Sequence, residues 1–143
     1  ANRGASEAKG LTIGLNITVP HEQSGNKWLT PELCMEFHYF FMRKFWFLYQ
    51  AKAMVIWPGG YGTMDELMES LTLIQSKKLR KKIPIVMYDS DFWNNVINWN
   101  YLVDKGVISK SDLNLFQFCD TVPDAFNFLT DKITKTHIQG PNF

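Results

Sequence analysis

The segment at residues 53–66, AMVIWPGGYGTMDE, constrains the fold more than any other part of the chain. A short apolar run from Ala53 to Trp57 leads into three glycines, and a helical pattern follows, with apolar Leu67, Leu71 and Ile74 at i, i+4 and i+7. Continuously apolar strands are typical of parallel sheets that are covered by helices on both faces. This segment therefore predicts a strand, loop and helix of an α/β fold.

Strands and helices alternate along the rest of the chain. Further strands are predicted over residues 11–19, 34–39, 83–88 and 116–119. Helices are predicted within residues 1–10 (ending at Gly10), over 40–51, over 92–103 (stopping near Gly106) and from the N-cap Thr121 to about 135, before a frayed tail at 136–143. This alternation predicts a doubly wound, Rossmann-like parallel sheet in a single domain over residues 1–143.

Composition excludes several classes of function. The chain has 143 residues, one domain's worth, with 15 basic and 14 acidic side chains, so no strong field draws it to nucleic acid or to an anionic membrane. It has no apolar run of about 18 residues and no secretion signal at its start. The two cysteines, Cys34 and Cys119, lie far apart and form no disulfide or zinc pattern. We expect a reduced, cytoplasmic protein with no nucleic-acid or membrane partner.

The glycine loop has the chemistry of an anion site. Gly59, Gly60 and Gly62 allow the backbone to approach an anion closely, and the free N–H groups of the following helix start favour negative charge. Thr63 adds a hydroxyl group. The Walker pattern is absent, and a dinucleotide fingerprint would need a third glycine where Asp65 stands. We predict a phosphate or carboxylate site rather than a pyrophosphate site.

The same residues allow a purely structural interpretation. Thr63-x-x-Glu66 before an apolar run is the pattern of a capping box, in which Thr63 caps the helix and Glu66 reaches back to it. Asp65 and Glu66 would also repel a bare phosphate, unless one carboxylate has another task nearby. Both interpretations stay open at this point.

Two basic clusters stand out. Arg43 and Lys44 lie among apolar residues in FFMRKFWF, where they either extend to solvent from an amphipathic helix or hold a phosphate or carboxylate. The cluster at residues 77–82, KKLRKK, is interpreted as a solvated face that complements the negative end of the preceding helix.

PGGYGTMDE at residues 58–66 resembles the PGGxGTxxE signature of the LOG family, the cytokinin riboside 5′-monophosphate phosphoribohydrolases long labelled lysine decarboxylases. The Arg43-Lys44 pair resembles that family's paired motif, and further resemblance extends to about residue 130. Asp65 is often Glu in the family, and Phe47 stands where Met is common. Family members also begin with a further strand–helix portion, so we expect this chain to be the C-terminal part of a longer domain.

The resemblance implies hydrolysis of the N-glycosidic bond of a nucleoside 5′-monophosphate by a dimer or larger homo-oligomer. It implies that Glu66 and Arg43 are catalytic, and that Asp65 acts indirectly. The residues expected to bind phosphate and ribose are Gly59, Gly60, Tyr61, Gly62, Thr63 and Lys44. No cofactor or metal is expected, because His21, His38 and His137 share no ligand spacing.

The base pocket and three other functions remain open. Asn16, His21 and Glu22 could border the base, and Trp28 or Phe41 could stack on it, or all could pack in a core or dimer surface. A non-catalytic nucleotide sensor is the main alternative function. A scaffold and a true amino acid decarboxylase are weaker alternatives, since the latter needs a buried lysine for pyridoxal phosphate.

Overall fold

The computed structural model of the protein describes residues 1–18 and 26–139, and the chain forms two compact units, Ala1–Gln50 (unit 1) and Ala51–Phe143 (unit 2). Unit 1 holds a two-stranded sheet and unit 2 a three-stranded sheet. Every strand pair is parallel, which confirms the predicted α/β class. The single domain over residues 1–143 stays a prediction.

Unit 1 is a short α/β arrangement. Its elements are α1 (Asn2–Glu7), β1 (Gly14–Ile17), a 3₁₀ turn (Pro31–Leu33), β2 (Cys34–Phe37) and α2 (Phe40–Gln50). β1 and β2 pair in register from Gly14↔Cys34 to Ile17↔Phe37. On α2, Leu48 is the buried residue, although the helix is rich in aromatic side chains.

The end of α1 corrects one expectation. The left-handed residue that ends the helix is Lys9, at φ 59°, and not Gly10. The Gly10 N–H donates to the Ala5 carbonyl at 2.7 Å, and the Lys9 N–H donates to the Ser6 carbonyl. This double hydrogen bond satisfies the last carbonyls of the helix, so it offsets the strain of a non-glycine residue at that position.

Unit 2 is built on a sheet with β4 at its centre. Its elements are β3 (Met54–Ile56), α3 (Tyr61–Gln75), β4 (Ile85–Tyr88), α4 (Ser90–Val96), α5 (Trp99–Asp104), a 3₁₀ turn (Lys110–Leu115), β5 (Gln117–Cys119) and α6 (Val122–Ile133). The strand order is β3-β4-β5. Ile85, Val86 and Met87 on β4 are fully buried, as expected for a central parallel strand.

Two predicted boundaries in unit 2 are wrong. The helix predicted over residues 92–103 is two helices, because the Asn98 side chain accepts the Tyr101 N–H and starts α5 there. The tail does not fray at 136, since a π-helical stretch continues over Thr134–Ile138, and residues 140–143 lie outside the described part. Thr121 caps α6 as predicted, accepting the Asp124 N–H.

Within the described residues, no helix combines the length and the apolar character that a membrane crossing requires.

Candidate functional site

The glycine loop connects β3 to α3 at the carboxyl edge of the unit 2 sheet. Gly60 is the N-cap of α3 and has no side chain, so in the described structure the cap position offers no side-chain acceptor to the N–H groups of Tyr61, Gly62 and Thr63. Such N–H groups have no acceptor within their own helix. Together with the positive end of a 15-residue helix, they can bind an anion.

Lack of space for a side chain, and not a special backbone angle, explains why residue 59 is glycine. None of Gly59, Gly60 and Gly62 has a positive φ. A Cβ on Gly59 would lie 2.2 Å from Thr63 Oγ1 and 2.8 Å from Thr63 Cβ, so the threonine side chain lies directly against this glycine. A Cβ on Gly60 or Gly62 would meet nothing within 4 Å, so both face open space in the described structure.

The capping-box interpretation of Thr63 and Glu66 is wrong. The helix starts two residues before Thr63, at Tyr61, and the Met64 N–H donates to the Gly60 carbonyl. Thr63 is therefore inside the first turn, and its hydroxyl group does not occupy the cap position. The pattern that suggested a cap lies one turn too far along the chain.

Thr63 and Glu66 share one side of α3, since residues three apart are neighbours on a helix surface. Both are partly buried, whereas Asp65 is exposed. The next residue, Leu67, is completely buried, and the Ser70 hydroxyl donates to the Glu66 carbonyl at 2.6 Å. The packed side of the helix thus fixes the backbone that carries Glu66.

Two exposed aromatic side chains flank the loop. Tyr61 is 93% exposed at the first position of α3. Trp57 is 49% exposed, and its ring centroid lies 4.4 Å from that of Tyr88 on the neighbouring strand. Sequence reasoning missed the Trp57–Tyr88 pair, although Trp57 directly precedes Pro58 at the end of the buried run.

Arg43 and Lys44 lie on α2 in unit 1, and both are partly buried. Arg43 Nη1 donates to the Leu15 carbonyl at 3.4 Å, and the guanidinium lies 6.0 Å from the Phe40 ring centroid. The arginine is thus tied to β1 as well as to its own helix. A joint action of this pair with the glycine loop stays a prediction.

The residues predicted to border or stack on the base make contacts of different kinds. His21 and Glu22 lie outside the described residues. Asn16 Nδ2 contacts Cys34 Sγ at 3.7 Å, Trp28 is covered by Lys27 at 5.1 Å from its ring, and Phe41 is 65% exposed. None of these contacts identifies a base-binding surface.

The basic cluster at 77–82 is solvated for the most part, as interpreted from the sequence. Lys81 is the partly buried cation, and burial, followed by the charge of Lys52, lowers the pKa of its ammonium group. The other four cations of the cluster are exposed. In residues 1–18 and 26–139, no three His, Cys, Asp or Glu side chains form a group that could hold a metal ion.

Comparisons with known proteins agree with the motif. A family model described as "possible lysine decarboxylase" matches residues 1–129. A probable cytokinin riboside 5′-monophosphate phosphoribohydrolase of Oryza sativa subsp. japonica is 27% identical over 79% of this chain and 48% of its own length. Two cytokinin riboside 5′-monophosphate phosphoribohydrolases of Arabidopsis thaliana are 38% identical over 42% of this chain and 28% identical over 60% of it, covering 28% and 40% of their own lengths.

The chain thus spans about half or less of the length of these curated relatives. The family match, in contrast, runs from the first residue through most of α6 and includes both the Arg43-Lys44 pair and the glycine loop. On that match, the chain belongs to the family described as possible lysine decarboxylase, the LOG family indicated by its PGGxGTxxE motif.

Proposed function

We propose that this protein hydrolyses the N-glycosidic bond of a nucleoside 5′-monophosphate and releases the free base and ribose 5-phosphate. The observation that carries the proposal is the uncapped first turn of α3 after the glycine loop, with Glu66 one turn further on the same side. The activities for which the plant relatives are named support the same reaction class.

The 5′-phosphate would bind at the start of α3. The N–H groups of Gly62 and Thr63 would donate to its oxygens, and the open space at Gly60 and Gly62 leaves room for it. One helical turn rises about 5.4 Å, which is comparable with the distance from a 5′-phosphate to the glycosidic carbon of its ribose. A phosphate held there would place the ribose beside Glu66.

Glu66 would act on the breaking bond. Cleavage of an N-glycosidic bond develops positive charge on the ribose, as in glycoside hydrolysis. A carboxylate beside the ribose stabilises that charge or orients the attacking water. Asp65, which is exposed on another side of α3, would act indirectly.

The remaining parts of the proposal rest on the family resemblance. Arg43 would stabilise charge on the same substrate, and Lys44 would assist it. A homodimer or higher homo-oligomer is proposed on the same grounds. A cytoplasmic location and the absence of a nucleic-acid or membrane partner are proposed instead from the near-neutral charge, the lack of a long apolar run and the two separate cysteines.

The first experiment asks whether base is released and from which substrates. The protein is incubated with nucleoside 5′-monophosphates and with the matching nucleosides, and free base is measured by chromatography. We expect release from the monophosphates alone, because the proposed anchor binds phosphate. If no substrate releases base but the monophosphates still raise the melting temperature, the nucleotide sensor replaces the enzyme.

The second experiment assigns the carboxylate. Glu66→Gln should lower kcat by about 10²- to 10³-fold while ribose 5-phosphate still binds, since a charge that acts in the transition state is removed. Glu69→Gln is the matched control, because Glu69 lies three residues further along α3 and is exposed. This variant should keep wild-type turnover. Near-wild-type turnover of Glu66→Gln would show that Glu66 is not catalytic.

The family's description names a second activity, lysine decarboxylation. A pyridoxal phosphate decarboxylase would need a lysine in a buried pocket to hold the cofactor. Every lysine of this chain is at least partly exposed, and Lys44 and Lys81 are the two that are partly buried. The residues present therefore do not fit that cofactor.

A further inference from the structure

A cavity of about 450 Å³ lies in unit 2, away from the glycine loop. Gln117, the first residue of β5, lines it, and β5 is an edge strand. The loop instead follows Ile56, the last residue of β3. Because the strands are parallel, the first residue of β5 and the last residue of β3 lie at opposite ends of the strands. The cavity and the loop are therefore at opposite ends of the same sheet.

The walls of this cavity include flat aromatic rings. Trp99, Phe116 and Phe118 form a contiguous group, with ring centroids 4.7 Å apart for the first pair and 5.3 Å for the second. Phe128 on α6 contributes a further ring. The planes of these two pairs are inclined by 46° and 74°, so one ring can stack on a planar ligand while its neighbour meets that ligand edge-on.

Four carboxamides line the cavity, and one of them, Gln117, donates to the Phe118 carbonyl at 3.0 Å. The side-chain amides of Asn94, Asn100 and Asn114 form no hydrogen bond within residues 1–18 and 26–139. Each amide can both donate and accept. The charged lining residue is Lys132, which lies 5.7 Å from the Phe128 ring centroid, and no carboxylate lines the cavity. Such a lining suits a neutral or singly anionic ligand with adjacent donors and acceptors.

Two buried tryptophans of unit 2 differ in their indole N–H groups. Trp93 is completely buried, and its Nε1 donates to the Tyr88 carbonyl at 3.1 Å. Trp99 is 8% exposed and lines the cavity, but its Nε1 has no hydrogen-bond partner in the described part of the chain. A buried donor without an acceptor is costly, so it calls for a partner that residues 1–18 and 26–139 do not supply.

We propose that this cavity is a second binding site, which takes a planar nitrogen heterocycle of nucleobase size. The aromatic walls would contact the faces of the ring, and the carboxamides of Asn100 and Asn114 would bond its edge. The volume lies in the range of small-molecule sites, about 300–1,000 Å³. The site is separate from the proposed hydrolytic site and does not depend on it.

Calorimetric titration of the protein with adenine tests the proposal. We expect saturable binding, and we expect Trp99→Phe and Asn100→Leu each to weaken it by about tenfold, as loss of one buried hydrogen bond does. Asn127→Leu is the matched control, because Asn127 is an exposed carboxamide on α6 that does not line the cavity, and it should bind like wild type. Gly62→Asp, which blocks the proposed phosphate anchor, should also leave adenine binding unchanged.

The melting temperature separates binding from structural damage. Trp99→Phe should melt within a few degrees of wild type, whereas Trp93→Phe should melt lower, since it removes a buried hydrogen bond to the Tyr88 carbonyl. Asn100 is exposed, so Asn100→Leu decides the matter if Trp99→Phe fails to fold. Absence of adenine binding by wild type, unchanged affinity in Asn100→Leu, or loss of binding in Gly62→Asp would each overturn the proposal.

Discussion

The two units bury their apolar side chains to very different extents. Among the described residues, all buried hydrophobic side chains except Ile17 and Leu48 belong to unit 2. Unit 2 surrounds β4 with neighbouring strands on both sides, and three consecutive β4 residues are fully buried. In residues 1–18 and 26–50, unit 1 has two strands and two α-helices, and most of its large apolar residues are exposed.

Helix α2 illustrates this difference in the burial of apolar side chains. Its exposed large apolar side chains are Phe40, Phe41, Met42, Phe45, Trp46, Phe47 and Tyr49. Trp93 in unit 2 is an aromatic residue of the same class but is completely buried. Helices of unit 2 also expose aromatic side chains, such as Tyr101 and Phe126, so among the described residues the two units differ in whether any aromatic side chain is completely buried. Contiguous exposed apolar surface of this sort is typical of interaction sites, which agrees with the proposed homo-oligomer.

The largest expected effect compares one core residue of unit 2 with one surface residue of unit 1. Leu67→Ala should lower the free energy of unfolding by about 2–5 kcal/mol, because it opens a cavity at a fully buried position. Phe45→Ala should change it by about 1 kcal/mol or less, because Phe45 is 54% exposed. Urea unfolding of both variants, followed by circular dichroism, measures the two values.

The control for this comparison is protein concentration. If Phe45→Ala costs as much as Leu67→Ala and the cost grows with concentration, α2 is covered by another copy of the protein in solution. Equal costs at every concentration would contradict the view that unit 1 leaves this helix uncovered.

The sequence predicted the kind and order of elements better than their ends. Period and apolar content located β3 and α3, because a parallel sheet needs continuously apolar strands and covered helices. The break at Asn98 was missed because a single side-chain cap, which accepts the Tyr101 N–H, outweighs the helical pattern on both sides of it. Likewise, two hydrogen bonds at the end of α1 allow Lys9 to take the position expected for glycine.

The candidate site was predicted as a list of residues but not as an arrangement. The motif identified the loop, and the structure shows that Gly59 is required by its contact with Thr63, which spacing cannot reveal. The cavity beside β5 was not foreseen at all. Its lining comes from four separate segments, and nothing in the pattern of asparagines along the chain indicates that they meet.

The two cysteines provide a second comparison between the units. Cys34 in unit 1 is exposed, whereas Cys119 in unit 2 is buried, and burial, then the charges of Asp124 and Asp120, raises the pKa of the Cys119 thiol. A raised pKa lowers the thiolate fraction at any pH below it, so Cys119 should react on the order of a hundredfold more slowly with iodoacetamide at pH 8. Mass spectrometry of a labelling time course gives both rates. In urea both should react alike, and equal rates in the folded protein would show that unit 2 opens readily.

The smallest expected effect concerns one glycine in each unit. A Cβ on Gly59 would meet the Cβ of Thr63 at 2.8 Å, and that atom is attached directly to the backbone of α3. A Cβ on Gly14 would meet the two terminal methyl groups of Leu29 at 2.5 and 2.8 Å, which can move by rotation of that side chain. Gly59→Ala should therefore cost about 1–3 kcal/mol of unfolding free energy. Gly14→Ala should cost less than about 1 kcal/mol, since alanine also restricts the unfolded chain. Urea unfolding measures both, and an equal or larger cost at Gly14 would mean that unit 1 holds Leu29 as rigidly as unit 2 holds its glycine loop.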